Sequence, residues 1–273
     1  MRLNKPIGIY LLMWPMLWAF LISSEGSPSI IYLFLFMIGV VLTRSAGCVI
    51  NDYFDRDFDG KVERTKNRPM ITGEIRPVEA LSLFTLLVLL SASLLFFMNL
   101  LTTYMAIVGL TLATIYPLSK RFFSVPQIFL GLAFSWGIIM VSAAETNNIS
   151  NISLLLFFSC FFWIIAYDTA YALCDKKDDL NLGINSSAIT FGSIVVPLFF
   201  LFHLTSILIL VYAAILLNLH ISFYPFALFS FLLAIYQTYL IKDQISSQCL
   251  KAFKNNNWLG LSIFLGSILG VSL

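Results

Sequence analysis

Charged residues are scarce in this chain, since Asp, Glu, Lys and Arg together make up only 11% of its 273 residues. A water-soluble domain carries about a quarter charged residues, so the composition excludes an ordinary soluble protein. Apolar residues make up 59% of the chain, and the mean hydropathy is +0.91. We therefore predict an all-α polytopic membrane protein.

Cysteine and histidine are also rare. The four cysteines show no paired spacing, so the sequence indicates neither a disulfide framework nor a zinc site. Of the two histidines, His203 lies in an apolar run. That position favours a packed or pore-facing side chain over a metal ligand.

Apolar runs long enough to cross a bilayer recur along the chain. A spanning helix needs about 20 such residues, and the sequence predicts nine of them in a single transmembrane domain over residues 1–273. The first run follows Arg2 and Lys5, but no signal-peptide cleavage site follows it. A turn at 218–224 divides the longest apolar stretch. The predicted helices are 7–23, 30–50, 78–97, 100–116, 127–144, 153–174, 193–215, 222–240 and 257–273.

Basic residues cluster in alternate loops of this predicted topology. If the N-terminus is cytoplasmic, every Lys and Arg except Arg44 falls in a cytoplasmic loop or tail. This is the distribution of the positive-inside rule, so we expect a cytoplasmic N-terminus. Of the acidic residues, only Glu25 and Glu145 fall in outside loops. Short loops are generally polar, but this does not explain why two of the cytoplasmic loops begin with the same spacing of acidic residues.

Two copies of one acidic signature close the second and sixth predicted helices. A shift of 120 positions places Asp55 on Asp175 and Asp59 on Asp179, and a basic residue follows the first Asp of each pair. The copies stand four helices apart. The sequence thus predicts two pseudo-repeated four-helix units plus a ninth helix, with a site where the repeats meet.

The acidic signatures place side chains one helical turn apart on one face. Like charges at this spacing repel, and acids at a helix C-terminus oppose the helix dipole, so both stripes need cations. Mg²⁺ suits them, because it is typically held by one or two carboxylates plus substrate phosphates. Asp52 and Asp168 lie one turn further into the membrane. The predicted Mg²⁺ ligands are Asn51, Asp55, Asp59, Asp175 and Asp179.

Basic residues in neighbouring cytoplasmic loops could complete a cage for a phosphate-rich ligand, with Arg giving bidentate contacts. For two of them, Lys120 and Arg121, the positive-inside rule is an equally good explanation. The four candidates are Arg56, Arg64, Lys120 and Arg121.

Arg44 is the one basic residue within a predicted spanning helix. An arginine there is costly, which makes it a functional candidate. It lies seven residues before Asn51 and so on the same helix face. Either it pairs with a buried acid such as Asp168, or it binds the carboxylate of a small anionic substrate; we favour the second.

These motifs resemble those of the UbiA family of intramembrane aromatic prenyltransferases. Segment 51–59 matches the family pattern NDxxDRxxD, and segment 168–179 matches DxxYxxxDxxxD. One segment departs, because Asn185 stands where the 4-hydroxybenzoate polyprenyltransferase branch commonly has Lys, which removes one diphosphate contact. Further segments similar to that branch are Lys5–Gly8, Leu17–Ala19, Arg44–Cys48, Arg64–Pro69, Tyr116–Pro117 and Asn255–Asn257.

The resemblance implies a fold of nine helices around a central cavity, with its polar mouth at the cytoplasmic face and a lateral opening to membrane lipid. It also implies a location in the bacterial inner membrane. The implied reaction is Mg²⁺-dependent transfer of a polyprenyl group from polyprenyl diphosphate to 4-hydroxybenzoate. The new bond forms ortho to the hydroxyl, and the product, 3-polyprenyl-4-hydroxybenzoate, belongs to ubiquinone biosynthesis.

The same resemblance implies roles for individual residues. Arg44 would hold the benzoate carboxylate. Tyr116 or Tyr171 would assist the leaving group or shield the allylic cation, and Asp52 or Asp168 would accept the ring proton. Additional positive charge on the diphosphate would come from Arg64, Lys120 and Arg121.

Three alternatives compete with this interpretation. One is a prenyltransferase of the same family that uses another acceptor, such as dihydroxynaphthoate, homogentisate or haem. A CDP-alcohol phosphotransferase would need a DGxxAR stretch, which the chain lacks. A cation-coupled transporter would place its acids near the midplane on broken helices, whereas the acids here lie at helix ends. We expect no nucleic-acid partner.

Overall fold

A computed structural model of the chain describes residues 1, 3–60, 65–119 and 122–272, without the side chains of Phe58, Asp59 and Ser272. Helices and connecting turns account for the whole of this described part. Two helices are single turns, α3 (Arg56–Asp59) and α8 (Ser187–Thr190). The longer ones are α1 (Ile7–Ser23), α2 (Ile30–Phe54), α4 (Pro77–Ser93), α5 (Leu100–Ser119), α6 (Gln127–Thr146), α7 (Asn151–Leu182), α9 (Val195–Leu216), α10 (Tyr224–Ile241) and α11 (Ser246–Ser272).

Seven helical segments of the described chain are long and apolar enough to cross a membrane. The other two long helices are α1, which is apolar but has 17 residues, and α11, whose first half is polar. Each of the nine predicted spans therefore corresponds to a helix, although only seven of the described helical segments are both long and apolar enough to cross a membrane. The predicted fold class is confirmed, and the chain is an all-α, multi-pass integral membrane protein.

Helix α7 extends well beyond its predicted end at residue 174. Its polar last turns have low hydropathy, but they keep helical geometry until Gly183 adopts a left-handed conformation with φ of 67°. The Gly183 N–H then donates to the Asp179 carbonyl, which caps the helix. The whole second acidic signature consequently lies on one continuous helix.

Helix α11 begins eleven residues before its predicted start at 257, because its first turns are polar and a hydropathy profile does not count them as part of an apolar span. Three consecutive asparagines, Asn255–Asn257, accept hydrogen bonds from neighbouring helices through their side-chain oxygens. Such bonds satisfy buried polar groups that a hydropathy profile penalises. The donors are Gln237 Nε2 on α10 at 2.9 Å, Trp163 Nε1 on α7 at 2.7 Å and Trp14 Nε1 on α1 at 2.9 Å.

The helices that carry the acidic signatures pack in the same way in both halves. Helix α4 folds back onto α2, and α9 folds back onto α7, as the predicted repeat requires. The main core takes buried residues from α1, α2, α6, α7, α9, α10 and α11, and within it the ring centroids of Trp18 and Trp163 lie 5.2 Å apart. His203 is fully buried in α9, and its Nε2 lies 3.1 Å from Asn256 Oδ1. It is thus a packed side chain, as predicted.

Candidate active site

A cavity of about 1560 Å³ occupies the space between the helices. Small-ligand pockets usually measure about 300–1,000 Å³, so this one accommodates a larger molecule. Its walls come from α1, α2, α4, α5, α6, α7 and α11. Helices α9 and α10 supply none of the described lining residues and pack behind α7 and α11.

The cavity changes character along its length. On α2 the lining is apolar from Leu35 to Val40 and polar from Asn51 to Asp55. A helix rises about 1.5 Å per residue, so these two zones are separated by more than 15 Å. Helices α4 and α5 add apolar side chains such as Phe84 and Leu110. The cavity therefore suits a molecule with a polar head and a long apolar tail.

The first acidic signature lies where helix α2 ends. The Asn51 side-chain amide donates to Asp55 Oδ2 at 2.9 Å, which confirms that the two side chains share a face. Asp55 itself is the C-cap of α2, and the chain continues into the single turn α3. The side chain of Asp59 lies outside the described residues, so its place in the predicted stripe stays a prediction.

Asp52 forms an ion pair that the sequence did not reveal. Its Oδ1 lies 3.1 Å from Nη1 of Arg68, and the two side chains are only 17% and 14% exposed. Both residues line the cavity. Arg68 belongs to the segment 64–69 that carried part of the family resemblance, but no role was assigned to it. The structure now places it at the polar end of the cavity.

The second acidic signature forms an unbroken stripe on α7. All four of its motif residues line the cavity, and Asp168, the deepest, is 9% exposed. The ring of Tyr171 packs against Phe253 of α11 with centroids 4.8 Å apart, which fixes this part of the wall. The stripe consists of Asp168, Tyr171, Asp175 and Asp179.

The donor set of the two signatures fits Mg²⁺. Among the side chains that the structure describes, no three Asp, Glu, His or Cys groups converge to form a complete metal site. Mg²⁺ does not need one, because one or two carboxylates together with phosphate oxygens and water satisfy it. Asp55 on one wall and Asp175 and Asp179 on the other offer carboxylates of this kind.

Arg44 reaches the cavity from the middle of α2. Its Nε is buried and has no hydrogen-bond partner, and its Cζ lies 5.8 Å from the centre of the Phe134 ring on α6. The ion pairs of the described residues do not join it to Asp168. Because a buried donor without a partner is costly, this atom is suited to an anionic ligand.

Of the predicted cage of basic residues, only Arg56 lies within the described part of the chain. Arg56 lies outside the lining of the cavity, because its guanidinium stacks 4.4 Å from the ring centre of Tyr53 and donates to the Tyr53 carbonyl at 2.9 Å. Two lysines that the sequence did not single out for the site, Lys5 and Lys254, line the cavity instead. Outside the described residues lie Arg64, Lys120 and Arg121.

Two further polar groups of the cavity wall escaped the sequence analysis. The hydroxyls of Tyr167 and Ser186 are buried and have no hydrogen-bond partner, and both residues line the cavity. Tyr167 is adjacent to Asp168 in the second motif, which was its only sequence signal. Tyr116 also lines the cavity, and so does Asn185, the residue that departs from the family pattern.

Comparison with known proteins gives a consistent result. Residues 12–267 match the model of the UbiA prenyltransferase family. The 4-hydroxybenzoate octaprenyltransferase of Photobacterium profundum is 44% identical over 272 residues, which span 100% of this chain and 95% of that protein.

Solved structures share the fold. The apo structure of a UbiA homolog from Aeropyrum pernix K1 superimposes with a TM-score of 0.85 at 20% identity, over 98% of both chains. A UbiA homolog from Archaeoglobus fulgidus bound to GPP and Mg²⁺ gives a TM-score of 0.75 at 16% identity, again over 98% of both chains. The family resemblance that the two acidic motifs indicated is thereby confirmed, and it extends along the chain. This protein belongs to the UbiA prenyltransferase family.

Proposed function

We propose that this protein transfers a polyprenyl group from polyprenyl diphosphate to the ring carbon ortho to the hydroxyl of 4-hydroxybenzoate. The observation that carries this proposal is the layout of the cavity, with carboxylates at one end, an arginine in the middle and apolar walls beyond. Each part of the two substrates finds a matching part of the wall. The 44% identical 4-hydroxybenzoate octaprenyltransferase supports the same acceptor.

The diphosphate would bind at the polar end. Mg²⁺ held by Asn51, Asp55, Asp175 and Asp179, together with Asp59, would act there as a Lewis acid on the leaving group. The ion pair with Arg68 keeps Asp52 oriented toward the same end. We further propose that Lys5, Lys254 and Arg68 supply cationic charge around the diphosphate, alongside Arg64, Lys120 and Arg121.

The acceptor would bind deeper, with its carboxylate on Arg44. Asp55 follows Arg44 by eleven positions, about 16 Å along the axis of α2. This interval leaves room for an aromatic ring, the allylic carbon and the diphosphate between them. The buried, unpartnered Nε of Arg44 would then donate to the acceptor carboxylate.

The reaction would break the allylic C–O bond, with the electron pair leaving on the diphosphate. The ring carbon would then form the new C–C bond and lose its proton. Asp168 is better placed than Asp52 to accept that proton. It lies seven residues, or about 10 Å, deeper than Asp175, whereas Asp52 is only three residues from Asp55 and is paired with Arg68. Tyr116 and Tyr171 line the path and would shield the allylic cation from water.

The distribution of charge supports one orientation in the membrane. We propose that the polar mouth of the cavity faces the cytoplasm of a bacterial inner membrane, since the basic residues cluster at that end. The prenyl tail would enter between apolar walls on the side of α4 and α5, few of whose residues are buried.

The experiment that tests this function is mass spectrometry of products formed by the purified protein. It would receive 4-hydroxybenzoate and a long polyprenyl diphosphate with Mg²⁺, and a parallel sample would receive dihydroxynaphthoate or homogentisate instead. Prenylated hydroxybenzoate is the expected product. Product from another acceptor alone would contradict the proposed substrate but preserve the reaction class.

Arg44→Ala should raise the KM for 4-hydroxybenzoate about 10- to 100-fold, since a hydrogen bond to a charged group contributes roughly 1.5–3 kcal/mol. The KM for polyprenyl diphosphate should change little, because its charged diphosphate binds about 16 Å away at the polar end and its apolar tail makes no hydrogen bond to Arg44. Steady-state kinetics with each substrate varied in turn would separate the two constants. An unchanged KM for the acid would return Arg44 to a purely structural role.

A further inference from the structure

Gly8 lies in the first turn of α1, directly against the guanidinium of Arg44. A Cβ added to Gly8 would lie 2.5 Å from Nε, 2.6 Å from Nη2 and 3.0 Å from Cζ of that side chain. These separations are far shorter than ordinary van der Waals contacts, which begin at about 3.5 Å. The guanidinium can therefore occupy its observed position only because residue 8 has no side chain.

An aromatic ring is a second neighbour of the guanidinium. Phe134 of α6 presents its ring 5.8 Å from Cζ, and both Gly8 and Phe134 line the cavity beside Arg44. Three helices thus contribute to one small pocket around the charge. None of the described contacts gives Nε a hydrogen-bond partner, so the position is set by packing and not by a second protein group.

We propose that Gly8 is a positioning residue for the acceptor. Because residue 8 has no side chain, the Arg44 guanidinium can take the orientation that receives the acceptor carboxylate. This inference rests on the proposed function. Carboxylate recognition by arginine depends on direction, since the planar fork must meet the two oxygens. A displacement of about 1 Å is enough to lower catalysis substantially.

The location of the clash makes this inference testable. The atoms that a Cβ at residue 8 would meet belong to the flexible end of a long side chain, whereas the backbone does not obstruct it. Gly8→Ala should therefore fold, and alanine is a better helix former than glycine. Only the Arg44 guanidinium should have to move to make room for the new methyl group.

The experiment is a double-mutant cycle of Gly8→Ala and Arg44→Ala, with the KM for 4-hydroxybenzoate as the readout. We expect Gly8→Ala to raise this KM about tenfold in the wild-type background and to have no further effect once Arg44 is alanine. The KM for polyprenyl diphosphate should stay within about twofold. With 4-hydroxybenzamide, a neutral acceptor, the effect of Gly8→Ala should shrink.

The matched control is Gly137→Ala, which adds a methyl group to the same cavity wall where no atom lies within 4 Å of the new Cβ. Any effect of this methyl group on the KM for 4-hydroxybenzoate should be the same whether residue 44 is Arg or Ala, because the methyl group does not displace the guanidinium. If Gly8→Ala raised the KM for 4-hydroxybenzoate equally with Arg44 and with Arg44→Ala, or left it unchanged in the wild type, the positioning role would be overturned. The proposed function would stay intact. A wild-type protein that does not prenylate 4-hydroxybenzoate would overturn both.

Discussion

Asp55→Ala and Asp175→Ala should each lower kcat by roughly 100-fold or more, because metal stabilisation of a leaving group contributes several kcal/mol and each 1.36 kcal/mol is a factor of ten. The two residues come from different walls of the cavity, Asp55 at the end of α2 and Asp175 on α7. Losing either would leave the diphosphate held from one side only. Product formation per mole of purified protein, at saturating concentrations of both substrates, measures the effect.

The chain offers matched controls for this experiment. Asp57 and Asp178 belong to the same two segments, yet neither lines the cavity, and the Asp57 side chain is 73% exposed. Asp57→Ala and Asp178→Ala remove the same charge from nearly the same place and should retain most of the activity. Equal losses in all four variants would point to the overall negative charge of the region and against a specific metal site.

Much of this protein could be predicted from its sequence, because a bilayer imposes simple rules. Long apolar runs predicted the helices, and the turn near Asn218 was confirmed by its left-handed φ of 51°. The i, i+4 spacing predicted that Asn51 and Asp55 share a face, and their side chains do form a hydrogen bond. These features depend only on neighbours within one helix.

The features that the sequence missed depend on contacts between helices. Hydropathy ended α7 and began α11 in the wrong places, because it marks only the apolar part of a helix. It does not detect polar turns that continue the helix, such as Asn255–Asn257 with their hydrogen bonds to neighbouring helices. Arg68 looked like one more cytoplasmic cation until the structure paired it with Asp52. Arg56, by contrast, matched the motif but stacks on Tyr53, away from the cavity lining. Side-chain direction is what separates these two arginines.

The two acidic signatures have the same sequence spacing but different secondary structure. In the first, α2 ends at Phe54, Asp55 caps it, and the single turn α3 follows. In the second, the stripe from Asp168 to Asp179 stays on one helix. One wall of the proposed metal site is therefore a helix end and the other a continuous helix. The continuous wall should set the position of the diphosphate, with the capped end adapting to it.

Removing divalent metal should abolish turnover of the wild-type protein, and added Mg²⁺ should restore it, since the carboxylates alone would repel a diphosphate. Asp175→Asn should keep the shape of the wall but weaken metal binding, so we expect its activity to need about tenfold more Mg²⁺. Titration of Mg²⁺ at fixed substrate concentrations measures this shift.

Asp178→Asn serves as the control for the metal titration, because it neutralises a neighbouring acid outside the cavity lining. Its half-saturating Mg²⁺ concentration should match that of the wild type. Full activity of the wild type in chelator would exclude Mg²⁺ as the partner of the acidic stripes. The repulsion between their carboxylates would then have to be relieved by the lysines and arginines of the cavity, with Lys5, Lys254 and Arg68 the first to be replaced.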